Sequence, residues 1–231
     1  MAGARWTDDP RRRRLALRYG AAGGALAIIA LALGHAALWL LWPAGSLLLV
    51  STTYAALGPD AFQKGADGRL SLAVRWLFGP YLWGAALNRM FWKGDGRMQV
   101  PLCDGVSLGR LPAPSVAASY GTIVDLCAEL PGRHGTSGYV ALPMLDLATP
   151  VPDRLREAAA TIEQARAAGT VLVCCALGYS RSAAAAATWL VVTGRADSPE
   201  AAIAQIRDAR PHVVLDDSCH AAIAAAAAPA T

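Results

Sequence analysis

Apolar and polar positions divide this chain into two unlike parts. In the first, apolar residues run on over 15–34 and 36–57, interrupted by Arg18, His35 and Pro43. As helices, these 20 and 22 residues each reach about 30 Å, the thickness of a bilayer's hydrocarbon core. Gly34-His35 leaves almost no room for an outer loop, so the pair predicts a helical hairpin. A third apolar stretch, 70–92, is punctuated by Arg75 and Arg89 and divided at Gly79-Pro80, where a helix should kink or break. Trp76, Phe78, Tyr81, Trp83, Phe91 and Trp92 suit the headgroup level, so this stretch is expected to lie on a membrane as an amphipathic hairpin rather than cross it. Beyond Gly94-Asp-Gly96 the pattern changes to short apolar runs at 98–102, 106–108, 122–126, 138–142 and 171–174. Helical patterns follow at 154–168, 181–193 and 198–209, the last opened by Ser198 as cap and Pro199 at the first position. Strands alternating with helices predict an α/β domain.

Four segments result: a basic cytoplasmic tail at 1–14, two transmembrane helices within 15–58, an interfacial segment at 59–97 and a catalytic-sized domain at 98–231. Charge agrees with the division. Residues 1–97 hold 12 Lys/Arg against 5 Asp/Glu, and residues 98–231 hold 9 against 12. The folded domain is therefore mildly acidic, which argues against nucleic acid as a partner. Arg5, Arg11–Arg14 and Arg18 precede the hairpin while Lys64 and Arg69 follow it, placing both ends, and the domain, on the cytoplasmic side. A secretory signal would have an apolar core of only about 7–15 residues. The five cysteines (103, 127, 174, 175 and 219) show neither C-x2-C nor zinc spacing, and their odd number does not suit a secreted disulfide framework. No metal or cofactor is expected.

The chemistry centres on Val171-Leu-Val-Cys-Cys-Ala-Leu-Gly-Tyr-Ser-Arg-Ser182. A β-branched apolar run reads as a buried strand; it ends in Cys175, followed by a Gly-containing loop and an Ala-rich helix. Unpaired N–H groups of such a loop and first helical turn attract an anion, and the same field favours a thiolate. Arg181, five residues after Cys175, supplies a planar fork for two phosphate oxygens.

Cys175-Ala-Leu-Gly-Tyr-Ser-Arg-Ser182 resembles the phosphate-binding loop of the dual-specificity branch of cysteine-dependent protein-tyrosine phosphatases. Val106-Ser-Leu-Gly-Arg-Leu-Pro112 is similar to that family's opening strand, and Ser198–Pro211 to its closing helix. The resemblance covers about 98–231 and none of the membrane region, and it implies a central mixed sheet flanked by helices; with the hairpin in front of it, the chain reads as a membrane-anchored member of bacterial, plasma-membrane type. It implies Cys175 as nucleophile and a phosphate cradle of Ala176, Leu177, Gly178, Tyr179, Ser180 and Arg181. Ser182 would ease thiolate departure. Asp146, closing Tyr139-Val-Ala-Leu-Pro-Met-Leu-Asp146, matches the general acid, with Asp153 as the alternative.

One departure stands out. Cys174 occupies the position where the family usually places His, which puts the strength of the activity in question. Cys127, in Val124-Asp-Leu-Cys-Ala-Glu129, matches a cysteine that closes a protective disulfide with the nucleophile in phosphoinositide-phosphatase relatives. Cys127 and Cys174 are therefore redox candidates. Three substrate readings stay open: a phosphorylated protein; a phospholipid head group of phosphatidylglycerophosphate or phosphoinositide kind; or phosphate binding without catalysis. The loop's lack of any cation besides Arg181 and its Gly178-Tyr-Ser-Arg-Ser182 segment favour the first.

Overall fold

The computed structural model describes residues 9–92, 98–132 and 138–228; the Gly94-Asp-Gly96 boundary lies outside them. Helix α1 (Pro10–Leu33) starts at the cap Asp9, whose carboxylate accepts the Arg11 N–H, with Pro10 at the first position. Residues 10–14, expected in a solvated tail, are thus its first turn. A 3-10 turn (Gly34–Leu40) reverses the chain into α2 (Leu41–Thr52), which ends in a π turn, Thr53–Leu57. The two helices run back to back. Ser51 Oγ donates to Ala16 O at 2.7 Å, and a Cβ on Gly23 would meet Ala44 O and Leu48. By length and composition, Pro10–Leu57 is apolar enough to cross a membrane, with only 11% of its most apolar window buried.

The chain then forms α3 (Leu72–Leu77) and α4 (Gly79–Phe91), separated at Phe78, so that Gly79-Pro80, where a kink or break was expected, open the second helix. They pack on both neighbours. Phe62, Leu70, Val74 and Phe78 share a core with Ala16, Val50, Tyr54, Ala128 and Leu145. Their other side leaves Leu72, Trp76, Trp83, Leu87, Phe91 and Trp92 exposed.

Five strands make one sheet: β1 (Gln99–Cys103), β2 (Val106–Arg110), β3 (Thr122–Cys127), β4 (Gly138–Met144) and β5 (Val171–Cys175), ordered β1-β2-β5-β3-β4. Within this sheet, among the described residues, only the β1–β2 pair is antiparallel. Strand β5 is central and wholly buried, which explains its unbroken Val-Leu-Val-Cys-Cys run. One face of the sheet is covered by α6 (Pro152–Ala168), α7 (Arg181–Val192), α8 (Pro199–Ala209) and α9 (Asp217–Ala227). Helix α9 lies in an Ala tract that the sequence pattern left without an element. The other face carries Ile123, Cys127, Leu172 and Cys174, covered by the short α5 (Pro114–Ala117) and by Ala85 of α4. Lys64 enters this layer from the N-terminal part. Its ammonium donates to Asp125 Oδ2 at 2.6 Å and to Cys127 O at 2.5 Å, with both side chains fully buried. Tyr139 Oη and the Cys127 N–H also donate to that carboxylate.

Candidate active site

In open sheets of this kind, sites form beyond the carboxyl ends of the parallel strands. Here β2, β5, β3 and β4 deliver Leu111, Cys175, Glu129 and Asp146 to that edge. Gly178 allows the loop after β5 to turn. Its φ is +76°, and a Cβ there would fall 2.5 Å from the backbone carbon of Gly109. The loop's carbonyls are held from outside: Cys175 O by Leu111 N–H (2.8 Å), Tyr179 O by Val214 N–H (2.8 Å) and Leu177 O by Arg210 (3.2 Å). The Arg210 guanidinium also lies 5.3 Å from the Tyr179 ring centre. Amides are thereby free to turn inward toward the thiol. Gly178 N–H points at Cys175 Sγ from 3.3 Å, and Ser182 Oγ lies 3.3 Å from the same sulfur.

Arg181, at the first position of α7, is buried and gripped on one side. Its two terminal nitrogens each meet a Glu129 oxygen at 2.8 Å, and they further contact Met144 O and Asp146 Oδ1 at 3.0 Å each. The remaining donor, Nε, is buried without a hydrogen-bond partner. A buried, orphaned donor is costly unless a ligand satisfies it. Burial raises the Asp146 carboxyl above its ordinary range; Arg181 opposes this and Glu129 reinforces it. Glu129 goes the other way, because Arg181 outweighs the cost of burying it. Of two neighbouring carboxyls, one is thus held ionised and the other is inclined to keep its proton.

Cys175, Arg181, Ser182 and Asp146 therefore come together, joined by the loop 176–180. Asp153 does not join them: it opens α6 and pairs with Arg156. Cys174 is fully buried on the sheet face of Cys127, and burial pushes both thiols up, with Asp125 adding to the effect on Cys174 and Glu129 on Cys127. Cys175 belongs to the opposite core, and all five thiols are free. Glu129 escaped the sequence reading. Its signal was the second of two carboxylates, after Asp125, in the apolar run Ile123–Leu130, where a buried acid needs a cation.

Residues 121–226 match the family model described as "Dual specificity phosphatase, catalytic domain". Among solved structures, a single-substitution form of human DUSP28 is 21% identical over 57% of this chain and 95% of its own, with a TM-score of 0.51. A mutant form of Tk-PTP is 24% identical over 56% and 93%, with a TM-score of 0.50. PTPMT1 in complex with PI(5)P is 20% identical over 55% and 92%, at 0.49. No curated protein sequence matches. The family match spans the thiol loop, Arg181 and Asp146, so residues 121–226 form a dual-specificity phosphatase catalytic domain, a hydrolase domain of the protein-tyrosine/dual-specificity phosphatase type.

Proposed function

We propose that the protein is a membrane-anchored phosphatase that cleaves phosphate monoesters through a phosphocysteine intermediate. The observation that carries this reading is the loop from Cys175 to Arg181: its thiol meets the Gly178 amide and the Ser182 hydroxyl, and its arginine, bound to Glu129, keeps a buried Nε without a hydrogen-bond partner. The Cys175 sulfur attacks phosphorus in line while Arg181 and the loop amides hold the equatorial oxygens. The P–O bond breaks as Asp146 gives its proton to the leaving oxygen. Asp146 then accepts a proton from water, whose oxygen takes the phosphoryl group from sulfur, and Ser182 Oγ stabilises the departing thiolate. Glu129 fixes the guanidinium plane. The same proposal includes a redox step: hydrogen peroxide oxidises the Cys175 thiolate to a sulfenic acid, and the Cys127 sulfur displaces its hydroxyl as water to form a disulfide once the loop turns Cys175 from its own face of the sheet. Cys127→Ala should then recover less activity after peroxide is removed, and unchanged recovery would remove that part.

The substrate assigned first is a phosphorylated protein carrying phosphotyrosine, phosphoserine or phosphothreonine, because the loop itself holds one cation, Arg181. A lipid head group is the second reading, favoured by a cavity of about 710 Å³ that runs from the hairpin base (Arg12, Leu57, Pro59) to Met144 and Arg181. The deciding assay uses full-length protein in lipid vesicles, with Cys175→Ser as blank. Phosphate release is compared for a phosphotyrosine peptide and for phosphatidylglycerophosphate. Faster peptide release supports the first reading and faster lipid release the second. No release above the blank from either substrate rejects both.

A further inference from the structure

The acid-bearing loop between β4 and α6 is not held by the catalytic domain alone. Tyr54, in the π turn that ends α2, is buried and donates its hydroxyl to Asp146 O at 2.9 Å. Three residues on, the Thr149 N–H donates to Asp9 Oδ2 at 2.9 Å, while the other oxygen of that carboxylate caps α1. One side chain thus starts the apolar hairpin and pins the acid loop. Between the two anchors, Leu147 adopts a φ of +56° and stands exposed. Leu145 and Ala148 turn inward instead, into the core of Tyr54, Phe62, Val74 and Phe78. The anchor is itself braced. A π turn widens the helix and displaces its carbonyls, and Arg12 Nε donates to Tyr54 O at 3.1 Å. Tyr19 stacks on the Tyr54 ring with centroids 5.7 Å apart.

We infer that Tyr54 and Asp9, at the base of the N-terminal hairpin, are positioning residues for the Asp146 general acid, so that the hairpin completes the active site as well as tethering it. This rests on the phosphatase reading above. Neither residue touches the reacting atoms. They set the loop backbone, and through it the place from which Asp146 delivers its proton. Loss of proton delivery shows in the leaving group: an alkyl phosphate needs the proton more than an aryl phosphate with a stable phenolate.

The test uses full-length protein in detergent micelles, with p-nitrophenyl phosphate and glycerol phosphate as substrates. Tyr54→Phe keeps the ring and removes the hydroxyl. Its ratio of aryl to alkyl turnover should rise about fivefold, the effect of one lost hydrogen bond, and the basic limb of its alkyl pH profile should flatten. Asp146→Asn should show the same split, larger. If Tyr54→Phe lowers both turnovers in the same proportion, or neither, the inference is wrong. Hydrogen exchange at residues 146–149 supplies a second readout, for Tyr54→Phe and for Asp9→Ala. Faster exchange confined to this loop supports the clamp, and unchanged exchange in both variants overturns it. Should the parent hydrolyse neither ester, the phosphatase reading fails, and the exchange measurement still decides whether the hairpin holds the loop.

Discussion

Two Ala-rich helices of this chain meet opposite fates. In α7, ten consecutive residues from Arg181 to Leu190 are buried, Trp189 among them. In α1 only Arg12, Ala16, Gly23 and Ala30 are, while Ile28 and Leu31 are 69% and 67% exposed. Similar composition therefore has two uses. One helix buries its apolar surface in protein; the other buries small residues against α2 and turns its large ones outward, the arrangement expected where the second solvent is lipid. Substitutions should divide along the same line, some acting on chemistry and folding, others on insertion.

The largest effect sharpens the catalytic side. Asp146→Asn should lower turnover of an alkyl phosphate about 10²–10⁴-fold and leave vesicle binding intact. Because burial and Glu129 raise the Asp146 carboxyl, kcat/KM should fall as pH rises through a value above the usual carboxylate range, and the variant should lose this limb. A raised pKa in the folded state means that ionised Asp146 costs stability at neutral pH. The melting temperature of the Asn variant should then hold or rise.

Lys64→Met is the substitution that breaks the comparison. Lys64 belongs by sequence to the segment expected at the membrane interface, yet it neutralises Asp125 inside the sheet's second layer. Its loss should cost about 3–5 kcal/mol in thermal or denaturant unfolding, and Asp125→Asn added to it should restore part of that. If Lys64→Met leaves the domain's stability unchanged, the two regions are independent after all.

Ile28→Lys tests the other side. A cation in the middle of α1 should disfavour insertion by about 2.5–3.5 kcal/mol, read as partitioning between vesicles and solution, with turnover in micelles preserved. The smallest effect is expected at Asp216. Burial would raise its carboxyl, but hydrogen bonds from Arg11, Ser218 and the Cys219 N–H hold it down at about 2. The stabilisation is present above the ordinary Asp range and is lost as pH falls toward 2. Both partners are partly exposed, so Asp216→Asn should cost less than about 1 kcal/mol at neutral pH. An acid-unfolding curve that no longer separates the variant from the parent below pH 2 would agree.

Much of this was legible in the sequence because local chemistry dictates it. Strand, Gly178 turn, Arg181 and Ala-rich helix follow one another within a dozen residues, and the five strands and the break just before Gly79-Pro80 carry their own signals. What stayed hidden depends on contacts between distant residues. Glu129 is 52 positions from Arg181, Lys64 is 61 from Asp125, and Tyr54 is 92 from Asp146. No periodicity encodes which carboxylate meets which cation. Residues 10–14 misled for a related reason. A run of four arginines predicts solvent, but Arg12 finds the displaced carbonyls of a π turn and Arg11 finds Asp216. Helix α9 was passed over because an Ala tract without polar alternation announces no face.

The buried Lys64–Asp125 pair also orders events in time. A ribosome adding about 5–20 residues per second releases Lys64 roughly 3–12 seconds before Asp125, which lies 61 positions later. The cation is in place before the anion exists. A newborn carboxylate therefore enters the sheet with its counter-charge waiting, and a copy shortened at its front by a start at a later codon would fold around a charge with no mate. Such a fragment should open readily and be cleared by proteolysis.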